Sequence, residues 1–161
     1  MKTLIVYFSL NGNTESVVNE IGPAIGADIL KVVSEKVYPD KGFKKFLVGG
    51  GDVVAKRKPK LEPYSVDLGR YERVIIASPV WASSFVPPIG TFIEENREAL
   101  KEKRFACIFC NAGGGTEKAI ARLKAALGIE AFDAELSLVD PKTRPSDLNS
   151  ELIEKFKESI I

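Results

Sequence analysis

The sequence predicts an α/β domain in which helices cover both faces of a five-stranded, doubly wound parallel sheet. Apolar runs of strand length alternate along the chain with stretches of helical periodicity. The longest apolar runs are continuous, which is typical of strands that are buried on both faces. This alternation indicates βαβ units, whose right-handed crossovers place helices on both sides of the sheet. We expect a single domain spanning residues 1–161.

Five apolar runs predict the strands. Three of them, at residues 3–8, 73–78 and 104–109, are continuous and rich in β-forming residues. Two weaker and partly alternating runs, at 27–33 and 132–138, are expected nearer the sheet edges. A strand order of 2-1-3-4-5 would bring the carboxyl ends of the first, third and fourth strands side by side, where ligands bind in doubly wound sheets.

Four stretches carry apolar residues at helical spacing, and they begin after Thr14, Pro88, Thr116 and Ser146. Proline suits a first helical turn, Ser146 suits an N-cap and Gly128 suits a C-cap. The second of these helices is expected to continue to Leu100. The pair Gly22-Pro23 is expected to end or kink the first helix.

The segment between Tyr38 and Lys60 departs from this regular alternation. It carries Gly49-Gly50-Gly51, which we expect to break a helix, so we predict one short helix followed by irregular chain. The part from 41 to 60 is rich in lysine and most simply forms a solvated surface. The alternative is a docking face for an acidic redox partner or for an anionic substrate such as a nicotinamide phosphate.

Composition and charge narrow the function classes. The formal net charge is +1, which gives no global field toward nucleic acid or an anionic membrane, so we expect neither as a partner. No apolar run is long enough to span a bilayer, and we expect a cytoplasmic protein. The chain has no histidine, the commonest metal ligand and general base, and we predict no metal site.

Two cysteines, Cys107 and Cys110, have the C-x-x-C spacing of many redox sites. Such sites open a helix, which lowers the pKa of a thiol, whereas this pair lies on a predicted strand. An odd separation along a strand points the two side chains to opposite faces. We therefore interpret both cysteines as core residues.

Three loops would leave the shared edge of the sheet. The first loop, residues 9–14, offers short polar side chains around Gly12 and then enters a helix. A helix N-terminus presents free N–H groups and a partial positive charge, so it can hold a phosphate without lysine or arginine in the loop. The alternative is an ordinary capped helix start.

The other two loops differ in content. The second loop, residues 78–88, carries the only tryptophan, Trp81, which could stack on a planar ligand or could simply cover the end of the core. The third loop, residues 111–116, contains three consecutive glycines that would let the main chain lie flat against a ligand, although glycine-rich turns are common.

Together these loops resemble those of the flavodoxin-like family, and the resemblance covers nearly the whole chain. The segment Ser9-Leu10-Asn11-Gly12-Asn13-Thr14 is similar to the family's phosphate loop, with Asn11 where threonine is usual. The resemblance implies non-covalent flavin mononucleotide (FMN). It implies phosphate contacts from Ser9, Asn11, Gly12, Asn13 and Thr14; isoalloxazine contacts from Pro79, Val80, Trp81 and Ala82, with Ser83 marginal; and contacts on the pyrimidine side from Asn111, Ala112, Gly113, Gly114 and Gly115.

The family resemblance leaves three functions open. The first is a redox protein that transfers electrons through FMN to a partner protein. The second is an FMN-dependent NAD(P)H oxidoreductase that acts on a quinone-like acceptor, and the third is a cofactor-free interaction protein. Because the three loops contain no Asp or Glu, unlike the acidic surroundings of true flavodoxins, we expect a less negative hydroquinone potential.

Overall fold

The computed structural model describes residues 1–41 and 43–161, apart from the side chains at 43, 45 and 46. Its five strands are β1 Thr3–Tyr7, β2 Asp28–Lys31, β3 Arg73–Pro79, β4 Arg104–Asn111 and β5 Glu135–Val139. All strand pairs are parallel and the sheet order is β2-β1-β3-β4-β5, which confirms the predicted fold class and topology. The strands lie within a few residues of the predicted runs.

The helices are α1 Asn13–Ala24, α2 Phe43–Val54, α3 Pro87–Glu95, α4 Arg97–Leu100, α5 Glu117–Leu127 and α6 Asp147–Ile160. Helices α1 and α6 pack on one face of the sheet, and α3 and α5 pack on the other. Because both faces are covered, the central strands β1, β3 and β4 are buried almost throughout. None of the helices in the described ranges is long and apolar enough to cross a membrane.

Most of the predicted helix ends are confirmed. The Ser146 side chain accepts a hydrogen bond from the Asn149 amide, and Gly128 caps α5 in a left-handed conformation. Helix α1 ends one residue after Pro23, as the Gly22-Pro23 pair indicates. The predicted continuation to Leu100 is wrong in detail, because the chain leaves the helix at Asn96 and resumes in α4; the Asn96 side chain there donates to Phe92 O.

The expectation that Gly49-Gly50-Gly51 breaks a helix is wrong. Helix α2 runs through all three glycines without interruption. A Cβ built on Gly49 would lie 2.9 Å from Cε3 and 3.1 Å from Cζ3 of Trp81. The missing side chain therefore lets the helix backbone pack directly against the indole ring, and this contact offsets the low helix propensity of glycine.

The interpretation of the two cysteines as core residues is confirmed. Both lie on β4 with free thiols, and their side chains join the two separate cores on opposite faces of the sheet. Burial raises the pKa of both thiols, that of Cys110 to about 12. At neutral pH they are protonated and inert.

Candidate functional site

The sheet order brings the three predicted loops together at the carboxyl ends of the strands. The amide of Val80 donates to Cys110 O at 2.9 Å, and the amide of Phe8 donates to Ala77 O at 3.2 Å. Neighbouring strands thus remain hydrogen-bonded up to the point where the loops begin. The first, second and third loops therefore emerge side by side, as the topology predicts.

The first loop is closed by its own side chains. Ser9 Oγ accepts hydrogen bonds from the amides of Gly12 and Glu15, each at 3.2 Å, and Asn11 Oδ1 accepts from the Asn13 amide at 3.3 Å. Gly12 has a φ of 89°, a left-handed conformation that favours glycine. The Ser9 side chain therefore joins the two sides of the first loop at the start of α1.

Thr14 is the least satisfied polar residue of the first loop. Its hydroxyl is buried and makes no hydrogen bond within the described part of the chain. The Cys110 thiol lies next to this hydroxyl, but a thiol sulfur is only a weak hydrogen-bond acceptor. Burying a hydroxyl without a partner costs about 1–3 kcal/mol, so this position is suited to a ligand atom that accepts a hydrogen bond.

In the second loop, Trp81 packs into an aromatic cluster. Its ring lies 5.7 Å from that of Phe8 and 5.0 Å from that of Tyr38, both edge-on. The buried carboxylate of Asp52 on α2 accepts a hydrogen bond from the Tyr38 hydroxyl at 3.1 Å. Trp81 therefore covers the end of the core and remains half-buried, while Pro79 and Val80 are half-buried and Ala82 and Ser83 are exposed.

Beyond Trp81 the second loop makes a tight turn. Trp81 and Ser84 exchange two backbone hydrogen bonds of 2.9 Å each, and the two residues between them are left-handed, with φ of 46° at Ala82 and 57° at Ser83. This is costly for residues other than glycine, by roughly 1 kcal/mol each. Arg122 of α5 stabilises the turn, because its Nη1 donates to Ala82 O at 2.9 Å and to Ser83 O at 3.1 Å.

The third loop begins at a buried side chain. Asn111 Oδ1 accepts from the Gly113 amide at 2.7 Å, and Asn111 Nδ2 donates to Leu138 O at 3.0 Å. The carboxamide therefore orders the loop from inside the protein. Gly113 and Gly115 have φ of 115° and 82°, and Ala112, Gly113 and Gly114 are exposed, so the backbone is open to a ligand.

A fourth loop, residues 140–146, follows β5 at the same end of the sheet and was not predicted from the sequence. Asn13 Oδ1 accepts from the amides of Lys142 and Thr143, at 2.9 and 3.3 Å. Arg144 pairs with Asp140 and donates to Ala112 O at 3.1 Å. The fourth loop therefore contacts both the first and the third. The signal was available, because β5 ends at the edge that the other loops share.

The basic segment 41–60 is neutralised in part, at its carboxyl end. Arg57 lies near Asp52, Lys58 pairs with Glu94, and Lys60 pairs with Glu35. A cavity of about 760 Å³ lies between the end of α2, helix α3 and helix α5. It has apolar walls that include Phe85 and Ile93, and it is rimmed by Lys56, Arg57, Lys58, Arg97 and Arg122. Ala82 of the second loop also lines this cavity.

Comparisons with known proteins place the chain by its structure. No protein-family model matches it, and no curated protein matches its sequence. A flavoprotein in complex with FMN from Lactobacillus acidophilus NCFM is similar with a TM-score of 0.75 at 21% identity, over 96% of this chain and 97% of that one. The two-electron reduced flavodoxin of Megasphaera elsdenii has a TM-score of 0.56 at 21% identity, over 97% of this chain and 98% of that one. A flavodoxin from the domain Archaea has a TM-score of 0.58 at 18% identity, over 100% and 94%. The chain therefore has the flavodoxin-like fold.

Proposed function

We propose that this chain binds FMN non-covalently and transfers electrons through it as a redox protein. The observation that carries this proposal is the Thr14 hydroxyl, which is buried and unpartnered within the described chain, in the first turn of α1. A helix N-terminus favours an anion, and a phosphate oxygen would be a far stronger acceptor for this hydroxyl than the neighbouring Cys110 thiol. The residues present thus fit a phosphate monoester.

The remaining loop residues would hold the rest of the cofactor. The backbone amides of Gly12, Asn13 and Thr14 and the hydroxyl of Ser9 would surround the phosphate, with Asn11 at the exposed rim. The ring system would lie between the second and third loops, bordered by Trp81 and by the open backbone of residues 112–115. Bound flavin supplies the electron transfer itself, while the protein positions the ring, excludes water and sets the local charge.

The decisive test replaces Thr14 by valine, which has nearly the same shape and lacks the hydroxyl. Removing a buried hydroxyl without a partner is expected to leave the free energy of unfolding of the apoprotein unchanged or to raise it by up to about 1 kcal/mol. The same change is expected to weaken FMN binding tenfold or more, since hydrogen bonds to charged groups contribute about 1.5–3 kcal/mol. Flavin fluorescence quenching measures the dissociation constant, and urea unfolding measures the stability.

Thr14→Ser is the matched control, because it keeps the hydroxyl and is expected to keep FMN affinity within a few-fold of the wild type. Equal FMN affinity of the valine variant and the wild type would remove Thr14 from the phosphate site. A wild-type protein that stays colourless after incubation with FMN would contradict the function itself and favour a cofactor-free interaction protein.

The cavity beside Ala82 favours a second candidate, an FMN-dependent NAD(P)H oxidoreductase. Its size is in the range that accommodates small-molecule ligands, and its rim carries five cations with the carboxylates of Asp52 and Glu94. Such a rim would suit the phosphates of a nicotinamide donor. In the carrier function the same basic rim would instead contact an acidic partner protein.

Anaerobic mixing of the FMN-loaded protein with NADH or NADPH separates these two functions. Direct bleaching of the flavin supports the oxidoreductase, and Lys56→Met is then expected to slow bleaching, most strongly at low salt. Reduction that requires a separate reductase supports the carrier. Lys101→Met, at the C-cap of α4 and outside the cavity lining, is the control with the same change of net charge.

A further inference from the structure

The fourth loop is fixed over the start of α1 by a buried side chain. Asn13 is 5% exposed, and its Oδ1 accepts both the Lys142 amide at 2.9 Å and the Thr143 amide at 3.3 Å. A buried carboxamide oxygen that loses such partners costs free energy, so this arrangement is maintained. The first turn of α1 thus determines where the Lys142 backbone lies.

The Lys142 side chain reaches back over the first loop. A Cβ built on Gly12 would lie 2.7 Å from Lys142 Nζ, which places the ammonium group against the N-cap of α1. No ion pair among the described residues includes Lys142. A helix N-terminus carries partial positive charge, so an ammonium group at this end is repelled. The Glu15 carboxylate in the same turn attracts this ammonium group through space but forms its hydrogen bonds with Lys31 and Tyr7, so a bound anion would be the direct partner that Lys142 lacks among the described residues.

The other charged groups nearby are already paired. Glu15, in the first turn of α1, accepts hydrogen bonds from Lys31 Nζ and from the Tyr7 hydroxyl, each at 2.8 Å. Arg144 is held by Asp140 and by the Ala112 carbonyl. Lys142 is therefore the cation at this edge that is placed to meet an anion at the first loop.

We propose that Lys142 provides a positive charge to the phosphate bound at the first loop and thereby makes the site select FMN over riboflavin. This inference rests on the proposed function. A phosphate monoester carries between about 1.5 and 2 negative charges at neutral pH, and a helix N-terminus offers about half a positive charge. The first loop has no lysine or arginine of its own. The fourth loop supplies the missing charge.

The test compares Lys142→Met with Lys101→Met, which makes the same change of net charge at the C-cap of α4. Helix α4 directly precedes β4, so it lies at the amino-terminal ends of the strands, opposite the four loops. Dissociation constants for FMN and for riboflavin are measured by fluorescence quenching at two salt concentrations. Lys142→Met is expected to weaken FMN binding about tenfold at low salt and less at high salt, with riboflavin binding unchanged within twofold. Lys101→Met is expected to change neither constant.

A third ligand separates the failure of this inference from the failure of the proposed function. Phenyl phosphate, titrated against the amide signals of Gly12 and Thr14 by NMR, tests the anion site without the flavin ring. If the wild type binds FMN and Lys142→Met binds it equally well, the inference is overturned and the proposed function stands. If the wild type binds phenyl phosphate through Lys142 but not FMN, the anion site stands and the flavin function falls. If the wild type binds neither ligand, both are overturned.

Discussion

The first loop and the turn at residues 81–84 meet the same backbone requirement with different residues. Each needs a left-handed conformation, which the first loop gives to Gly12 and the turn gives to Ala82 and Ser83. The first loop is closed locally, by the Ser9 hydroxyl, whereas the turn is held from a distance by Arg122 of α5. One conformation therefore follows from the adjacent sequence, and the other depends on tertiary contacts that compensate strain.

The helices beside these two regions differ in the same way. Helix α1 starts at residues whose polar side chains and glycine indicate a helix start on their own. Helix α2 crosses three glycines because its packing partner, Trp81, requires one of them. Local propensity is decisive in the first case, and tertiary packing overrides it in the second.

The largest expected effect comes from replacing the glycines of α2 by alanine one at a time. Gly49→Ala would place a methyl group within 3.1 Å of the Trp81 ring, and we expect it to lower the free energy of unfolding by about 1–2 kcal/mol. Gly51→Ala meets no atom within 4 Å, and we expect it to raise that free energy by about 0.5–1 kcal/mol through helix propensity. Urea unfolding measures both variants.

The critical result is that the two variants change the free energy of unfolding in opposite directions. Gly50→Ala is an intermediate control, since its Cβ would meet only the Ala82 methyl group at the ordinary distance of 3.9 Å. If all three alanine variants stabilise the protein equally, α2 does not pack on Trp81 as described, and the two regions no longer differ.

A smaller effect is expected from exchanging the left-handed residues. Gly12→Ala would force alanine to a φ of 89° and push against the end of Lys142, and we expect it to cost about 1 kcal/mol of stability. Ala82→Gly removes the strain of a left-handed alanine and is expected to raise the free energy of unfolding by about 0.5 kcal/mol. The gain is small because the greater freedom of glycine in the unfolded chain offsets part of it. Thermal or urea unfolding of the two variants measures opposite shifts if the turn is strained. A loss of stability in Ala82→Gly would show that Arg122 and the cross-turn hydrogen bonds leave no strain to relieve.

These contrasts explain which features could be predicted from sequence. The alternation of strands and helices and the core positions of Cys107 and Cys110 followed from periodicity and from the two-residue repeat of a strand. The sheet order was that of a doubly wound sheet, and it placed the three loops together. The course of α2 could not be predicted, because the reason for Gly49 is an indole ring 32 positions away. The position of Lys142 could not be predicted, because it depends on the hydrogen bond that the Lys142 amide donates to Asn13, which is 129 positions away in the sequence.

The pH dependence of stability compares the Trp81 region with the start of α1, and the expected effects are smaller. Burial and the hydrogen bond to Asp52 raise the pKa of Tyr38 in the folded protein. The unfolded chain then releases the tyrosine proton first, so this group's contribution is complete below about pH 10 and is lost as the pH rises beyond it. Tyr38→Phe removes that contribution, and its stability is expected to fall less steeply than that of the wild type above pH 10.

Glu15 acts in the opposite direction and more weakly. The hydrogen bond from the Lys31 ammonium, followed by that from Tyr7 and the charge of Lys142, holds the pKa of this carboxyl below its usual range. Because the folded protein holds the proton less tightly, the contribution is present above about pH 4.5 and is lost as the pH falls. Glu15→Gln is therefore expected to flatten the acid side of the stability curve. Because the Glu15 carboxylate also raises the pKa of Tyr7, the variant is expected to change the alkaline side as well, whereas Tyr38→Phe changes the alkaline side alone. Urea midpoints across the pH range measure both slopes, and parallel curves for the two variants would mean that the α1 and Trp81 regions do not titrate independently.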